Sequence, residues 1–495
     1  MEEDIYVYGA AVQGIQNFIF CTNELKDIVG ASELVEQICT SLFEENFLQG
    51  GEALINAAGN IKCIYSCKDE CEKTVLLFPK IVMESAPGIS ISQAVVKTSK
   101  SEMETNFSSV MNRLEEKLHA QRNRKPKSMT LGLMSMERSR KTGLPAVTCL
   151  NNGEYLDEST FKKRELSDGA KVTIRLCEKC FGRQNLSPRN IALNISDLTD
   201  NNDWIAIIHA DGNGLGEVVQ RMSVTKEGLK EFSRQLDKST REAAQNAFNS
   251  VCSEAVLEHC GDVYPFRPVV LGGDDLTMIC RASVALAFVK EYIKDFEKAT
   301  EQNLGTGNGL TACAGIAFIK SSYPFHYGYD LAETLCSQAK KVSKSAEVMK
   351  DSSCAPSSVM FYKVQSSFIE NYDRLIDKEK MPQPGEQLTA GPYFLHPIDN
   401  YWTIDELENT ASQLSCEEGN AVKTALRKWM TWMHQDKEMA LQSSKRSEQI
   451  LPANMKTLFN LAITPQQRPG TTIKYYPAGD IIDIFTINNQ QTREN

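Results

Sequence analysis

Apolar and polar positions along this chain fall into two alternating rhythms. Trp204 to Ala210, Val263 to Leu271, Leu276 to Cys280 and Thr311 to Lys320 are short apolar runs of strand length. Between the first two, Leu229, Phe232, Leu236, Ala243, Ala247 and Val251 recur at steps of three, four or their multiples, the spacing of one helix face. Ser283 to Thr300 and Asp330 to Lys344 read as helices in the same way. The predicted order is strand, helix, strand, strand, helix, strand, a ferredoxin-like arrangement. A fainter copy stands at the N-terminus. There Ile5 to Ala11 reads as a strand and Ser32 to Phe47 as a helix. A hairpin follows (Ala53 to Ala57, Lys62 to Ser66), then a helix (Cys71 to Ser85) and a strand (Ile89 to Lys97). Two such units in one chain point to an internal duplication.

Between the copies the chain turns polar, basic and cysteine-bearing, with Arg113, Lys117, Arg122, Arg124, Lys125, Lys127, Arg138, Arg140 and Lys141. A solvated surface accounts for such a run, and a phosphate- or RNA-contacting patch is the other reading. Beyond the second copy, Ile404 to Leu414, Ala421 to His434 and Pro452 to Ile463 read as helices, and Asp480 to Ile487 alternates. The expected class is α+β, with two ferredoxin-like units. The expected domains are 1–105, an insert at 106–195, the second unit at 196–355 and a helical part at 356–495.

Composition narrows the function. The chain has 495 residues, 41% apolar and 24% charged, enough for several packed cores. Its net charge of −10 excludes a protein that coats nucleic acid by bulk charge. It allows a nucleoside-triphosphate enzyme, whose metal ions carry the positive charge. No apolar run is long enough to span a membrane, and the acidic start lacks the pattern of a signal peptide. Fifteen cysteines in no regular frame read as reduced thiols, so a cytoplasmic location is expected.

The chemistry is concentrated in the second unit. Gly272-Gly273-Asp274-Asp275 joins two apolar strands, so two carboxylates follow a tight glycine turn. Asp211 ends the first strand of the unit and is followed by Gly212, Asn213 and Gly214 before a helix. In a ferredoxin-like sheet these two strands are neighbours, which puts the carboxylates on one edge. Hard oxygen ligands there suit two Mg²⁺ or Mn²⁺ ions for phosphoryl transfer, and the glycines leave backbone N–H groups for a triphosphate. Adjacent strand residues face opposite ways, so a distortion at the turn is required if both Asp274 and Asp275 serve one metal pair. Lys340 and Lys341 are candidates to neutralise a phosphate.

These motifs resemble a known family. DGNGLGE (Asp211 to Glu217), GGDD, LTACAGIAF (Leu310 to Phe318) and a helix ending in AK resemble the second palm of the large subunit of type III CRISPR effectors. GIQNFIF (Gly14 to Phe20), GAS (Gly30 to Ser32) and AAGN (Ala57 to Asn60) resemble its first palm, without the acidic pair. TGLPA (Thr142 to Ala146) and CEKC resemble its zinc-bearing insert, and GPY (Gly391 to Tyr393) its C-terminal helical domain. The resemblance implies facing palms, each holding an ATP or other NTP, with Asp211, Asp274 and Asp275 on two metal ions. It implies a cyclic oligoadenylate product in antiviral defence, and a place among RNA-guided effector subunits or a standalone, self-associating relative. Ser32 and Asn60 are the residues expected in the first-palm pocket, which would bind without catalysing. No His-Asp dipeptide occurs, so the family's HD nuclease activity is not expected.

Cys177 and Cys180 have zinc-ligand spacing, and Cys149 is the one plausible upstream thiol. Three ligands leave the Zn²⁺ reading open beside a metal-free one. His209 is expected to be a buried, hydrogen-bonded histidine, and His326 to sit in a loop before the last palm helix. Two other classes stay open: a scaffold subunit with little catalysis, and a dinucleotide cyclase of the GGDEF type. The latter expects Phe where Leu276 stands.

Overall fold

The computed structural model describes residues 4–57, 59–124, 134–167, 170–184, 186–199, 203–222, 224–252, 263–305, 307, 309–349, 354–365 and 371–488. The first sheet is built from β1 (Asp4–Gln13), β2 (Gly51–Ala57), β3 (Asn60–Tyr65) and β4 (Ser90–Ser99), in the order β2-β3-β1-β4. All its pairings are antiparallel. The insert carries a small hairpin of β5 (Ala146–Cys149) and β6 (Tyr155–Asp157). The second sheet uses β7 (Trp204–Asn213), β8 (Phe266–Gly272), β9 (Asp275–Arg281), β10 (Thr311–Lys320) and β11 (Ser358–Lys363). Beyond β12 (Glu386–Gln387), which lies in a separate small sheet, β13 (Tyr393–Phe394) completes it. Its order is β13-β11-β10-β7-β9-β8. The four strands β8-β9-β7-β10 repeat the order of the first sheet, as the ferredoxin-like reading requires.

β7 is apolar from Trp204 to Ile208 because it lies between β9 and β10 with both faces covered. Its alternation sorts the side chains. Ala206, Ile208 and Ala210 join a core with Phe232, Ala243, Phe248, Phe288 and Tyr292 from the helices Lys226–Val251 and Ala282–Leu304. Ile205 and Ile207 join the other core, with Phe325 and Leu335 of helix Phe325–Ser343 and with Ile28 and Leu34 of the first unit. The second face of this sheet is therefore packed against the first unit. Helix Lys226–Val251 buries Leu229, Phe232, Leu236, Ala243 and Ala247 as their spacing predicts, while Val251 is half-buried. It starts at Thr225, whose hydroxyl accepts from the Gly228 N–H (3.1 Å).

The insert is anchored to the first unit. Helix Glu158–Ser167 lies so close to helix Leu25–Cys39 that a Cβ at Gly30 would fall 1.9 Å from the Lys163 carbonyl oxygen. Arg164 bridges Asp27 (2.7 Å) and Glu154 (2.9 Å) in that contact, with Arg164 and Asp27 buried.

Three sequence expectations need correction. Asp480 to Ile487 alternates but forms part of the helix Ala478–Asn488, buried on nearly every side, and a helix without a polar face shows no 3.6-residue signal. The last palm helix begins at Phe325, so His326 sits in its first turn against the Tyr327 ring (3.8 Å) rather than in a loop. β11, which the sequence reading grouped with the helical part, pairs in parallel with β10 and widens the second sheet. No helix among the described residues is long and apolar enough to cross a membrane.

Candidate active site

The edge of the second sheet brings three carboxylates together. Asp211, Asp274 and Asp275 each offer an oxygen, and these oxygens lie within 4.8 Å of one another. The required distortion is the turn itself. Gly272 pairs with Asp275, so Gly273 and Asp274 form a two-residue hairpin loop. Gly273 has φ 63° and Asp274 does not have positive φ, the pattern of a type II′ turn, which wants glycine first. Asp274 thus stands in the turn and escapes strand alternation, while Asp275 opens β9 next to β7. Thr240, on the long helix, donates its hydroxyl to the Gly273 carbonyl (2.5 Å) and holds the turn down.

The neighbouring glycines make room. A Cβ on Gly212 would lie 2.9 Å from the Asp274 Cβ and 3.0 Å from its Oδ2. Gly214 takes φ 77° just before the helix Leu215–Met222, and its carbonyl accepts from the Val218 N–H (3.2 Å). Lys340 reaches from the last palm helix to Asp211 Oδ2 and to the Gly212 carbonyl (2.9 Å). Lys341, its neighbour, is exposed.

Three acids against one lysine leave net negative charge in a partly buried place. Burial, followed by the charge of Asp211, pushes Asp274 up to about 7. Burial and then Asp274 push Asp275 well above the usual carboxylate range. Lys340 is raised by Asp211 against the opposing effect of its burial. A divalent cation is the natural relief for such a cluster, and an all-oxygen donor set suits Mg²⁺ or Mn²⁺.

Beside Asp275 a cavity opens between the two units. Its walls come from Ser32 and Glu36 of the first unit, Arg175 and Lys179 of the insert helix Ala170–Phe181, and His209 and Tyr329 of the second. His209 is buried, contacts Thr277 Oγ1 through Nδ1 (3.3 Å), and is lowered to about 4, chiefly by burial. It is neutral near pH 7 and matches the expectation for it. Ser32 lines the cavity and donates to the Val269 carbonyl. Asn60 opens β3 beside Gly59, and Gly59 rather than Asn60 lines the cavity.

Other residues singled out in the sequence sit elsewhere. Asn213 is buried, with Nδ2 directed to Thr311 Oγ1 and Cys313 Sγ (both 3.2 Å), inside the sheet rather than toward the cavity. Cys177 and Cys180 belong to helix Ala170–Phe181 and point into the core, where burial raises both thiols. Cys177 Sγ accepts from Arg267 (3.4 Å), while Cys149 is exposed on β5. These thiols do not form a zinc cluster; among the described residues the aspartate triad is the one group with metal-ligand proximity. Lys179, between the two cysteines, was missed. Its Nζ donates to the Leu271 carbonyl (3.0 Å) beside the carboxylate turn, and Arg175 stands one helical turn before it. The signal was the phase of this helix, with Ile174, Cys177 and Phe181 inward and Arg175 and Lys179 on the adjoining face. In the basic stretch, Arg113 pairs with Glu102 (2.8 Å), Lys117 donates to the Val95 carbonyl (2.8 Å) and Lys141 meets Glu154 (2.8 Å). These are local structural contacts; Lys125 and Lys127 lie outside the described residues.

Residues 204–349 match the family model for the second palm domain of Cas10/Cmr2. Solved structures match over nearly the whole chain. The Csm1–Csm4 cassette in complex with cA4 aligns at TM-score 0.58 and 13% identity, covering 98% of this chain and 70% of that one. The same cassette with AMPPNP aligns at 0.57 and 13%, with the same coverage. The Csm1–Csm4 subcomplex of the type III-A CRISPR-Csm interference complex aligns at 0.57 and 12%, again covering 98% and 70%. At these identities the likeness is one of fold. Comparison with curated protein sequences finds no match.

Proposed function

From a chain that carries a Cas10/Cmr2-type second palm and a Csm1-like fold, we infer a nucleotidyltransferase that joins ATP, or another nucleoside triphosphate, into a cyclic oligonucleotide. The observation that carries this reading is the convergence of Asp211, Asp274 and Asp275, with Asp275 lining a cavity walled by both palms. The donor set fits two divalent ions, Mg²⁺ or Mn²⁺, held by these three carboxylates. Bound there, such ions would acidify an attacking 3′-hydroxyl and stabilise the departing pyrophosphate.

The chain's own residues do the rest. Lys340 fixes Asp211 and supplies positive charge beside the phosphates. Gly212 lets Asp274 reach the cluster, and Gly273 with Thr240 sets the turn. Lys179 and Arg175 offer cations along the cavity wall for a triphosphate, with Ser32 as a hydroxyl partner from the first palm. His209 stays neutral and shapes the floor of the cavity. The first palm contributes a hairpin without carboxylates, while Glu33 and Glu36 of its helix pair with Arg175 and Lys179 on the cavity wall, so it would position a second nucleotide without holding metal. Related folds crystallised with AMPPNP and cA4 support this reading. By the same likeness the chain would act with a Csm4-like partner in an RNA-guided complex.

The test is incubation with each labelled nucleoside triphosphate and Mg²⁺ or Mn²⁺, with products resolved by mass spectrometry. A cyclic product that disappears in Asp274→Ala/Asp275→Ala is expected. Its absence with every nucleotide, in folded protein supplied with its complex partners and target, would leave the scaffold reading.

A further inference from the structure

The second sheet has another end. β7 runs from Trp204 to the carboxylate edge, and seven residues at ~3.3 Å each place Asp211 about 23 Å away. At the Trp204 end lies a recess walled by Lys320, Lys363, Gln365, Arg427 and Thr486. A second recess, walled by Lys378, Lys380 and His434, also includes Gln365, so the two adjoin.

The cations there are built in. Lys320 stands opposite Trp204 in the β10–β7 register, with Nζ 4.5 Å from the indole centroid. Lys363 Nζ lies 4.9 Å from the same ring and donates to Thr486 Oγ1 (2.5 Å), although its side chain is only 8% exposed. On helix Gly419–Gln435, Lys423, Arg427 and His434 recur at steps of four and seven, within about 40° of one helix face. Among the described residues, the two recesses hold five lysines and arginines against two carboxylates, Asp483 and Glu379. Both acids are already engaged. Asp483 accepts from Lys380 (2.6 Å) and Gln365 (3.2 Å), and Glu379 accepts from the Tyr362 hydroxyl (2.5 Å). Burial holds Lys363 below its ordinary range; Asp483 opposes this, and Lys380, Lys320 and Arg427 add to it.

We propose that this groove binds the phosphates of a single-stranded polynucleotide, at a site separate from the carboxylate cluster. Several cations around a small recess suit a group with several acceptor oxygens. Two adjoining recesses suit a ligand whose charge repeats along its length, whereas a lone phosphate would fill one. The face of Trp204 is occupied by lysines, so the backbone is read and not the bases. A chain of net charge −10 must make such contacts locally.

The probe is a fluorescent single-stranded oligonucleotide of mixed sequence, followed by anisotropy over a salt series, with EDTA present so that no metal contributes. Lys320→Gln/Arg427→Gln removes one half-exposed and one exposed cation. It is expected to weaken binding about tenfold near 0.1 M salt and to flatten the log–log salt slope by about 1.4, or 0.7 per lost phosphate contact. Thermal unfolding checks that the variant is folded; Arg427→Gln alone, on an exposed position, serves if the pair is not. Unchanged affinity and slope would overturn the proposal. So would inorganic phosphate competing as well as the oligonucleotide per phosphate, or a polyglutamate probe losing as much affinity as the oligonucleotide. Because the assay contains no metal, its outcome is independent of whether the chain cyclises nucleotides.

Discussion

Replacing Asp274 by Asn removes a charge that the folded chain holds at a cost. The ordinary pKa of 3.8 is raised to about 7. For an acid whose pKa is higher folded than unfolded, the folded state binds the proton more tightly. The associated stability is fully present below the unfolded value, near pH 4, and is lost as pH rises through the folded value, near 7. Three units at ~1.4 kcal/mol each set an upper figure of about 4 kcal/mol. Asp274 titrates together with Asp275 and Asp211, and Lys340 offsets part of the charge, so about half, ~2 kcal/mol, is the expected gain from Asp274→Asn. In a folding unit of this size that is roughly 4–8 °C in Tm. The assay is thermal unfolding of metal-stripped protein in EDTA, from pH 4.5 to pH 8.5. Asp274→Asn should match the wild type at the acid end and exceed it increasingly toward pH 8.5. Added Mg²⁺ should raise the wild type at pH 8.5 and leave the variant nearly unmoved. A difference that does not depend on pH, or a variant less stable at pH 8.5, would refute the electrostatic account of this site.

Three other outcomes follow from contacts in the same region. Gly212→Ala should lower nucleotide turnover by about 100-fold or more, because its Cβ displaces Asp274, while costing at most ~2 kcal/mol of stability by denaturant titration. Lys340→Met removes the cation that lowers Asp274, so the pH midpoint of Mn²⁺ binding, followed by electron paramagnetic resonance, should move upward; an unmoved midpoint would detach Lys340 from the cluster. Arg164→Leu leaves Asp27 buried without its partner and should cost about 3–5 kcal/mol, seen as early loss of protease protection in the insert.

Much of the second sheet was legible because its strands are short apolar runs between glycine and charged punctuation, and β10 spans the predicted Thr311 to Lys320. The hairpin was legible because Gly272 and Gly273 mark a turn that few other residues tolerate. What could not be read was tertiary in origin. The helix Ala478–Asn488 has no polar face, and β11 pairs only because β10 leaves an edge open. CEKC looked like a metal knuckle because spacing alone is blind to which way a helix faces. Two buried thiols and one cavity-facing lysine occupy the same four residues.

The duplication explains why the acidic hairpin stands in the second palm alone. In the first sheet Ala11 faces Asn60, and Ala57 closes the hairpin against Asn60. In the second, Ala210 faces Leu276 and Gly272 closes against Asp275, so the next pair along is Asp211 with Asp275. Ala11, Gly59 and Asn60 therefore occupy the positions of Asp211, Asp274 and Asp275. One acidic cluster already raises Asp274 to about 7. A second cluster across the same cavity would raise it further and repel the triphosphates that the proposed reaction needs. On that reading, a neutral first-palm hairpin is the electrostatic condition under which a second nucleotide can sit opposite the charged one.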